Sequence, residues 1–375
     1  MIFSPQTMAR LRNFRRIRRA WWSLWAFAAV FVFCMAADWV CPCDPRAVVD
    51  TARLEKYRRP VVEKSYEILS ARFSLLPGGK IADFEGPEKL RGDLLSRGAG
   101  VLSSPIEGYR VKKTQRPGYT RVFLEPADPP KVTEKVLPAP PVAFPFRPCL
   151  EHPFGVDAGG RDVFARVVHA MRIALLFGMA LALSGMVFGL VIGALEGYFG
   201  GVVDILGQRF TEIWSAMPFI YVMIFIGSTL GRSFSVLLVC YAVFNWIAVS
   251  YYVRAEFLRL RHLPFVEAAK VHGASTLRVI FVHILPNALT PLVTLFPFLL
   301  MGAVGSLAAL DFLGFGLPPM TPSCGELLNQ AQQFRWAWWL VLFPSLALFA
   351  VMLLAVFVGE GLREAFDPRR KSRLE

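Results

Sequence analysis

Charged side chains are scarce in this chain of 375 residues: they make up only 18% of it, whereas hydrophobic residues make up 55%. Soluble domains carry about 25% charged residues, so the composition excludes an ordinary soluble protein. A transmembrane helix needs about 20 apolar residues. The segments that qualify or nearly qualify are Ala20 to Val40, Met171 to Leu195, Trp214 to Leu230, Phe234 to Tyr252, Ala288 to Leu310 and Trp336 to Val358. The sequence therefore predicts an all-α polytopic membrane protein with six transmembrane helices.

The sequence also lacks the motifs of common catalytic and metal sites. It contains no GxxxxGK[ST] phosphate loop, because Pro77 to Ile81 (PGGKI) has the wrong spacing, so we expect no ATP hydrolysis by this chain. Its five histidines form no HExxH or comparable cluster, and Cys41 and Cys43 have no second pair nearby. We therefore expect no catalytic residue, no metal and no bound cofactor, and any ATP is used by a partner subunit.

Acidic residues are absent before Asp38, whereas the N-terminal segment, residues 1–19, contains Arg10, Arg12, Arg15, Arg16, Arg18 and Arg19. The tail, residues 360–375, is also basic near its end. Basic residues in short flanks stay on the cytoplasmic side, so both termini are expected there, as six spans require. The net charge of +13 is thus partly a topology signal, and we expect no nucleic-acid binding.

The expected organisation is a first transmembrane helix at residues 20–40, an extracytoplasmic insertion at 41–165 and a five-helix core at 166–359. The first apolar run is long for a signal peptide and no small-x-small cleavage site follows it, so we expect a retained span. Within the core, the second span contains a glycine run that predicts close helix packing, at Gly178, Gly185, Gly189 and Gly193. The third span is short, begins beside Pro218 and is approached by an amphipathic segment from Val202 to Ile213.

The insertion is the least informative part of the sequence. Val61 to Leu76 is compatible with a helix, Tyr109 to Leu124 has strand-like patches, and the proline-rich Pro126 to Pro148 is typical of extended, polyproline-like chain. These signals leave open whether the insertion is a folded domain or a spacer.

Cysteines at the two ends of the insertion lie on the oxidisable side of the expected topology. A disulfide from Cys149 to Cys41 or Cys43 would hold these ends together at the membrane surface. Such a bridge is a hypothesis of the sequence.

A loop between the fourth and fifth spans, residues 254–286, contains the segment Glu267 to Pro286 (EAAKVHGASTLRVIFVHILP). Pro264 suits the first turn of a helix, Gly273 can adopt the left-handed conformation that ends one, and Ser275 suits the N-cap of another. The pattern predicts two short helices joined at a glycine turn. It fits a docking surface or an interfacial hairpin.

The amino-acid sequence of this hairpin resembles the EAA loop of bacterial ABC importer permeases. The matching residues are Glu267, Ala268, Ala269, Gly273, Leu285 and Pro286. The resemblance implies the type I ABC importer permease fold in the inner membrane, with the loop seated in a groove of a separate ATPase. It further implies a second related permease, two cytoplasmic ABC ATPase domains and an extracytoplasmic solute-binding protein as partners, besides membrane lipid.

Two further segments narrow the resemblance. His152 to Arg166 (HPFGVDAGGRDVFAR) is similar to the HPxGTDxxGRDVxSR segment of oligopeptide and dipeptide permeases. Leu310 to Pro319 (LDFLGFGLPP) is similar to the microcin C and peptide uptake branch, which also carries a long segment after its first span. Leu307 stands where typical dipeptide permeases have glutamate, which leaves the cargo open. An ion-coupled carrier or channel, or an ABC permease for another solute such as nickel, is the alternative.

Three polar residues are candidates for the transport pathway: Asp311, Glu196 and Asn245. The two carboxylates lie near expected span ends, where an ionised group costs far less than at mid-bilayer. Solvation at the interface is the alternative for both, and a hydrogen bond to a neighbouring helix is the alternative for Asn245.

Overall fold

The computed structural model describes residues 12–41, 43–58, 61–66, 70–77, 80–86, 88–97, 109–116, 119–126, 132–137 and 141–366. The chain divides into a helical unit, Met1–Asp50 with Ala143–Glu375, and a second unit, Thr51–Val142. Residues 41–50 and 143–165 of the expected insertion therefore belong to the helical unit.

In chain order the helices are α1 (Arg18–Met35), α2 (Ala37–Val40), α3 (Thr51–Leu54), α4 (Glu88–Arg97), α5 (Val163–Phe199), α6 (Gly201–Ser215), α7 (Phe219–Thr229), α8 (Phe234–Asn245), α9 (Ile247–Leu260), α10 (Pro264–Val271), α11 (Thr276–Arg278), α12 (Leu285–Phe312), α13 (Cys324–Gln333) and α14 (Trp339–Phe366). A 3₁₀ turn covers Glu55–Tyr57, and a π-helix covers Val279–Ile284. The strands are β1 (Val61–Tyr66), β2 (Ala71–Leu75), β3 (Ile81–Glu85), β4 (Tyr109–Arg116), β5 (Tyr119–Pro126) and β6 (Val132–Leu137).

Four helical stretches in the described chain are long and apolar enough to cross a membrane: Val163–Phe199, Phe234–Leu260, Thr276–Phe312 and Trp339–Phe366. Helices α6 and α7 meet at a bend of 69°, and they make a fifth span if the bent pair is one. Pro218 lies at the N-cap of α7 and has no N–H with which to continue α6. The amphipathic segment from Val202 to Ile213 thus lies in α6, and the short apolar segment after Pro218 forms α7.

Helix α1 is not among these stretches, and it begins with two arginines. Its N-terminal end packs through Ala20 against Ala365, near the end of α14. Just beyond its C-terminal end, Ala37 packs in a cluster with Ala165 at the start of α5. The starts of α5 and α14 lie together, because Trp339 Nε1 donates to the carbonyl of Val156, 3.3 Å away. Helix α1 therefore runs along the bundle from one end to the other.

A spine of glycines brings α5 against the helices α8 and α9. A Cβ added at Gly189 would lie 2.5 Å from Val249 Cβ, and one added at Gly193 would lie 2.5 Å from the carbonyl of Ser250. Both distances are shorter than real Cβ contacts allow. The predicted close packing of this span is confirmed.

We expect Gly189→Ala to lower the free energy of unfolding by about 1–3 kcal/mol, because an overpacked contact must push the two helices apart. Gly302→Ala is the matched control, since a Cβ at Gly302 meets nothing within 4 Å. Thermal melting of the purified chain in detergent, followed by size-exclusion chromatography, measures both. Equal melting temperatures for the two variants would contradict the close contact.

The second unit contains strands, so the all-α prediction is wrong for this part of the chain. Strands β3, β2, β5 and β4, in that order, form an antiparallel sheet, and β1 pairs with β6. The sheet buries Phe73, Val122 and Leu124 together with Leu94 of α4. A core of this kind favours a folded domain over a spacer.

Strands β1 and β2 lie within the stretch from Val61 to Leu76, which the sequence made compatible with a helix, and residues 67–69 lie outside the described residues. Cross-strand pairing with β6, β3 and β5 decides the conformation here, which a local pattern cannot reveal. The strand-like patches of Tyr109 to Leu124 are confirmed as β4 and β5. Within Pro126 to Pro148, Val132–Leu137 is strand β6 instead of polyproline-like chain, and residues 127–131 and 138–140 lie outside the described residues.

Candidate coupling surface and polar clusters

Helix α10 begins as the sequence predicts. Pro264 stands in its first turn, where its missing N–H leaves no hydrogen bond unmade. One side chain, Val266, is fully buried in a cluster with Val253 and Phe257 of α9. Helix α10 is therefore anchored to the bundle by a single deep contact, while Glu267 and Ala268 on the rest of its surface are exposed.

Gly273 ends α10 in a left-handed turn, with φ of +78°. Its N–H donates to the carbonyl of Lys270 (3.0 Å), and the N–H of Ala274 donates to the carbonyl of Ala269 (3.0 Å). These two bonds are those of a Schellman motif, which glycine terminates without steric cost. A Cβ at Gly273 would meet nothing within 4 Å, so the turn is open to a partner.

The second part of the hairpin differs from the prediction of a separate short helix. Ser275 is its N-cap, as expected, and accepts a hydrogen bond from the N–H of Arg278 (3.4 Å). From Thr276 the backbone then stays helical, passing through the π-helix Val279–Ile284 into α12. Pro286 lies in the first turn of α12, directly after the π-helix, and the helical backbone passes through it without a break. The hairpin is consequently continuous with the span.

Large apolar side chains are exposed on both arms of the hairpin. The surface that they form, here termed the coupling surface, comprises Phe265, Glu267, Ala268, Val271, Gly273, Leu277 and Phe281. Val271 is 86% exposed and Leu277 67% exposed. Isolated exposed apolar residues need no explanation, but an apolar group gathered on one hairpin suits contact with a partner protein or with the bilayer interface, the two alternatives that the sequence leaves open. Of the other motif positions, Ala269 and Leu285 are half-buried and Pro286 is exposed.

The coupling surface is linked to the end of α5 by cationic side chains. Lys270 Nζ lies 5.7 Å from the ring centroid of Tyr198, and Arg261 Nη1 donates to the carbonyls of Gly197 and Tyr198, each 3.2 Å away. The last carbonyls of a helix carry partial negative charge, so a guanidinium is favourable there. Of these two residues only Lys270 belongs to α10, so its contact with Tyr198 is the direct link between α10 and the end of α5.

Glu196 is buried rather than solvated at the interface as the alternative had it, because only 3% of its surface is exposed. Gln208 of α6 donates to one carboxylate oxygen at 2.7 Å, while the other oxygen has no hydrogen-bond partner among the described residues. One turn away, Arg254 of α9 holds Asp204 of α6 through two hydrogen bonds. These contacts tie the first half of the broken helix pair to α5 and α9.

Asp311 and Asn245 also make fold contacts. Asp311 is buried, and its carboxylate accepts hydrogen bonds from the N–H of Leu317 (2.6 Å) and the hydroxyl of Ser323. It thereby closes the turn after α12, so interfacial solvation is wrong for this residue too. Asn245 donates to the carbonyl of Leu181 at 3.0 Å, which confirms the hydrogen bond to a neighbouring helix.

A buried ionic cluster joins the segment before α5 to α13. Arg166, fully buried, lies 3.0 Å from a carboxylate oxygen of Asp157 and also pairs with Glu326. Arg161 contacts the same two carboxylates, at 3.0 Å and 3.3 Å. The sequence indicated the motif of residues 152–166 but did not predict that its charged residues form a buried ionic cluster. The one available signal was the density of opposite charges in a segment that adjoins a span.

The hypothesised disulfide is wrong, because no two of the six cysteines, all of them among the described residues, are joined. Cys41 packs instead into the apolar cluster of Ala37, Ala165 and Val168. Cys324 is buried as well, at the start of α13.

We expect Cys324 to resist thiol reagents. Burial, with the nearby carboxylate of Asp311, raises the pKa of its thiol to about 12, so the reactive thiolate is nearly absent at neutral pH. In single-cysteine variants treated with a maleimide, exposed Cys43 is expected to react in the folded protein and Cys324 only after denaturation in SDS. Equal labelling rates in the native state would contradict the burial of Cys324.

Comparison with known proteins identifies relatives. The family model of the binding-protein-dependent transport system inner membrane component matches residues 185–372. The inner membrane ABC transporter permease protein YejE of Escherichia coli (strain K12) is 36% identical, with 98% of each chain covered. The peptidoglycan transport system permease protein YejE of Agrobacterium fabrum is 34% identical over 99% of this chain and 95% of that one.

A second kind of relative matches a smaller share of the chain. The dipeptide transport system permease protein DppC of Alkalihalophilus pseudofirmus is 38% identical over 60% of this chain and 74% of its own. A solved structure, the inward-facing MetNI methionine ABC transporter, matches with a TM-score of 0.44 and 19% identity over 53% of this chain and 96% of that one. The predicted resemblance to peptide-type permeases is confirmed by the sequence relatives. The chain belongs to the family of inner membrane components of binding-protein-dependent transport systems, the permeases of ABC transporters.

Proposed function

We propose that this chain is the non-catalytic permease subunit of an ATP-driven importer of peptides or peptide-like compounds. A second related permease completes the pathway, two cytoplasmic ABC ATPase domains supply energy, and an extracytoplasmic solute-binding protein delivers cargo. The cargo class rests on the relatives, whose names include dipeptide and peptidoglycan transport systems. The ATP is bound by the partner ATPases, and no cofactor is assigned to this chain.

The exposed coupling surface is the observation that carries the proposal. It bears the matched positions Glu267, Ala268 and Gly273, and its apolar side chains lie on a hairpin that only Val266 anchors deeply on the α10 side. An ion-coupled carrier has no need for such a surface. The same hairpin explains how energy enters a chain whose sequence has no phosphate loop.

The route of the conformational change follows from the contacts of the hairpin. ATPase closure pushes on α10, and the push reaches α12 because the backbone from Thr276 to Phe312 is one helical stretch. It reaches α5 through Lys270 and Arg261, which hold the end of that helix. Alternation between inward-facing and outward-facing states is then a rearrangement of helices around the broken pair α6 and α7. Glu196, Asp311 and Asn245 hold the fold in this proposal and contact no cargo.

The proposed topology has six spans with both termini in the cytoplasm and the strand-containing unit outside. The course of α1 along the whole bundle supports counting it as the first span. The broken pair then counts as the third, and the four long stretches are the remaining spans. Terminal fusions to a fluorescent protein and to alkaline phosphatase test this, since phosphatase activity at either terminus would overturn it.

Reconstitution tests the function. The chain, its partner permease and the ATPases are placed in nanodiscs, and ATP hydrolysis is measured with the solute-binding protein loaded with a peptide mixture or left empty. We expect hydrolysis to rise only with loaded protein, and mass spectrometry of its ligand identifies the cargo. If the solute-binding protein carries a nickel ion and no peptide, the cargo is nickel instead of a peptide. Uptake driven by an ion gradient without ATP would overturn the proposal.

A further inference from the structure

A basic and aromatic cluster lies at the N-terminal end of α1, outside the coupling surface. Residues 12–16 are helical, and α1 follows after Ile17. The exposed cations of this region are Arg12, Arg15, Arg16, Arg18 and Arg19. None of the ion pairs formed among the described residues involves these arginines. No carboxylate among the described residues compensates them, so they are available to an external anion.

The cluster is held in place rather than carried on a loose tail. Phe14 is buried against the end of α14, in an apolar group that includes Ala20 and Ala365. Its ring contacts Trp21 edge to face, at 6.5 Å between centroids, and Trp21 contacts Trp25 in the same way at 5.8 Å. The guanidinium of Arg15 lies 5.6 Å from the centroid of the Trp21 ring. Phe14 thus fixes the arginines beside a row of aromatic rings.

Aromatic side chains continue the cluster along α1. Arg18, Trp22 and Trp25 recur at i, i+4 and i+7, which places them on one helix face. Trp22 is 69% exposed and Trp25 is 56% exposed. Indole rings favour the level of lipid headgroups, and arginine forms bidentate bonds to phosphate. The face therefore presents guanidinium groups next to rings that suit the layer between headgroups and acyl chains.

We propose that this cluster binds the headgroup of an anionic phospholipid of the cytoplasmic leaflet, with the phosphate between the arginines and the glycerol region against Trp22 and Trp25. The proposal rests on the proposed cytoplasmic N-terminus. The last turns of α14 add Arg363 as well as the carboxylates of Glu360 and Glu364, so the arginines remain in excess at this end of the bundle. The bound lipid joins the first span to the last.

Native mass spectrometry of the full-length chain, titrated with phosphatidylglycerol or phosphatidylcholine, tests the site. The triple variant Arg15→Gln, Arg18→Gln and Arg19→Gln is expected to bind phosphatidylglycerol roughly a hundredfold more weakly, from the usual contribution of each basic residue at an anionic surface. The charge-matched control, Arg110→Gln, Lys112→Gln and Arg121→Gln, changes exposed strand residues and is expected to bind like the unchanged chain. All six substitutions alter exposed side chains, so both proteins are expected to fold.

Two further measurements distinguish a built lipid site from non-specific binding by charge. Phe14→Ala keeps every charge but removes the anchor, and it is expected to weaken phosphatidylglycerol binding as well. Inorganic phosphate is expected not to compete. The site is overturned if both triple variants lose binding equally, or if the first triple variant binds phosphatidylglycerol like the unchanged chain. It is also overturned if Phe14→Ala binds unchanged, or if free phosphate displaces the lipid. A fluorescent-protein fusion reports the side of the N-terminus: an outside terminus overturns the topology, whereas a cytoplasmic one with unchanged binding overturns the lipid site alone.

Discussion

Gly273→Val is expected to abolish stimulated ATP hydrolysis and uptake while leaving membrane insertion intact. Valine is strongly disfavoured at a φ of +78°, so the Schellman turn would have to open and α10 would change its angle to α11. The coupling surface would then no longer present its two arms together. The measurement is co-purification of the ATPase with the permease, followed by hydrolysis in nanodiscs. We expect losses of at least tenfold in both.

Gly231→Val is the matched control for this substitution. Gly231 has a φ of +77° and, like Gly273, a Cβ there would meet nothing within 4 Å. It connects α7 to α8, away from the hairpin. Both valines impose about the same backbone strain of roughly 1–2 kcal/mol, so a general loss of stability would affect both alike. If both variants keep the ATPase and transport normally, the coupling assignment is wrong.

Arg166→Ala is expected to destabilise the helical unit by about 3–5 kcal/mol, because it removes one of the two arginines that pair with the buried carboxylate of Asp157. Asp157 is fully buried, and Arg161 would be the one cation left beside it among the described residues. We expect little folded protein in the membrane, and a large fall in melting temperature for what remains. Quantification by in-gel fluorescence of a tagged chain gives the abundance.

Arg172→Ala is the control for Arg166→Ala, since it also removes an arginine from α5. Its partner Asp38 is largely exposed, and solvent screening leaves an exposed ion pair with little net contribution to stability. Abundance close to that of the unchanged chain is therefore expected. If Arg166→Ala melts at the temperature of Arg172→Ala, the cluster of Asp157, Arg161, Arg166 and Glu326 does not stabilise the fold.

Local patterns in the sequence were sufficient for much of the hairpin. Pro264, Gly273 and Ser275 each act through their own backbone geometry or a bond to a residue within a few positions, so their roles can be read from the chain alone. Glycine spacing likewise indicated the tight packing of α5. The continuity of the second arm with α12 was not foreseen, because Pro286 usually signals a break and here falls in a first turn.

Contacts between residues that are distant along the chain could not be predicted from the sequence. Arg166 and Glu326 are 160 positions apart, and nothing local indicates that α13 returns to the segment before α5. The strands at Val61 to Leu76 form because β6, β3 and β5 pair with them, which again depends on remote chain. Burial of Glu196 depends in the same way on α6 folding back so that Gln208 and Gly207 lie against it.

The glycine spine of α5 limits how the protein can move. At its glycine positions α5 has no side chain that can change rotamer, and its backbone lies directly against Val249 and Ser250 of α9. If α5 slid along α9, the next side chain would collide with the helix backbone. We therefore expect the two helices to move together as one rigid unit. The bundle is consequently expected to change its backbone geometry at an interruption of the chain, such as the bend of 69° between α6 and α7.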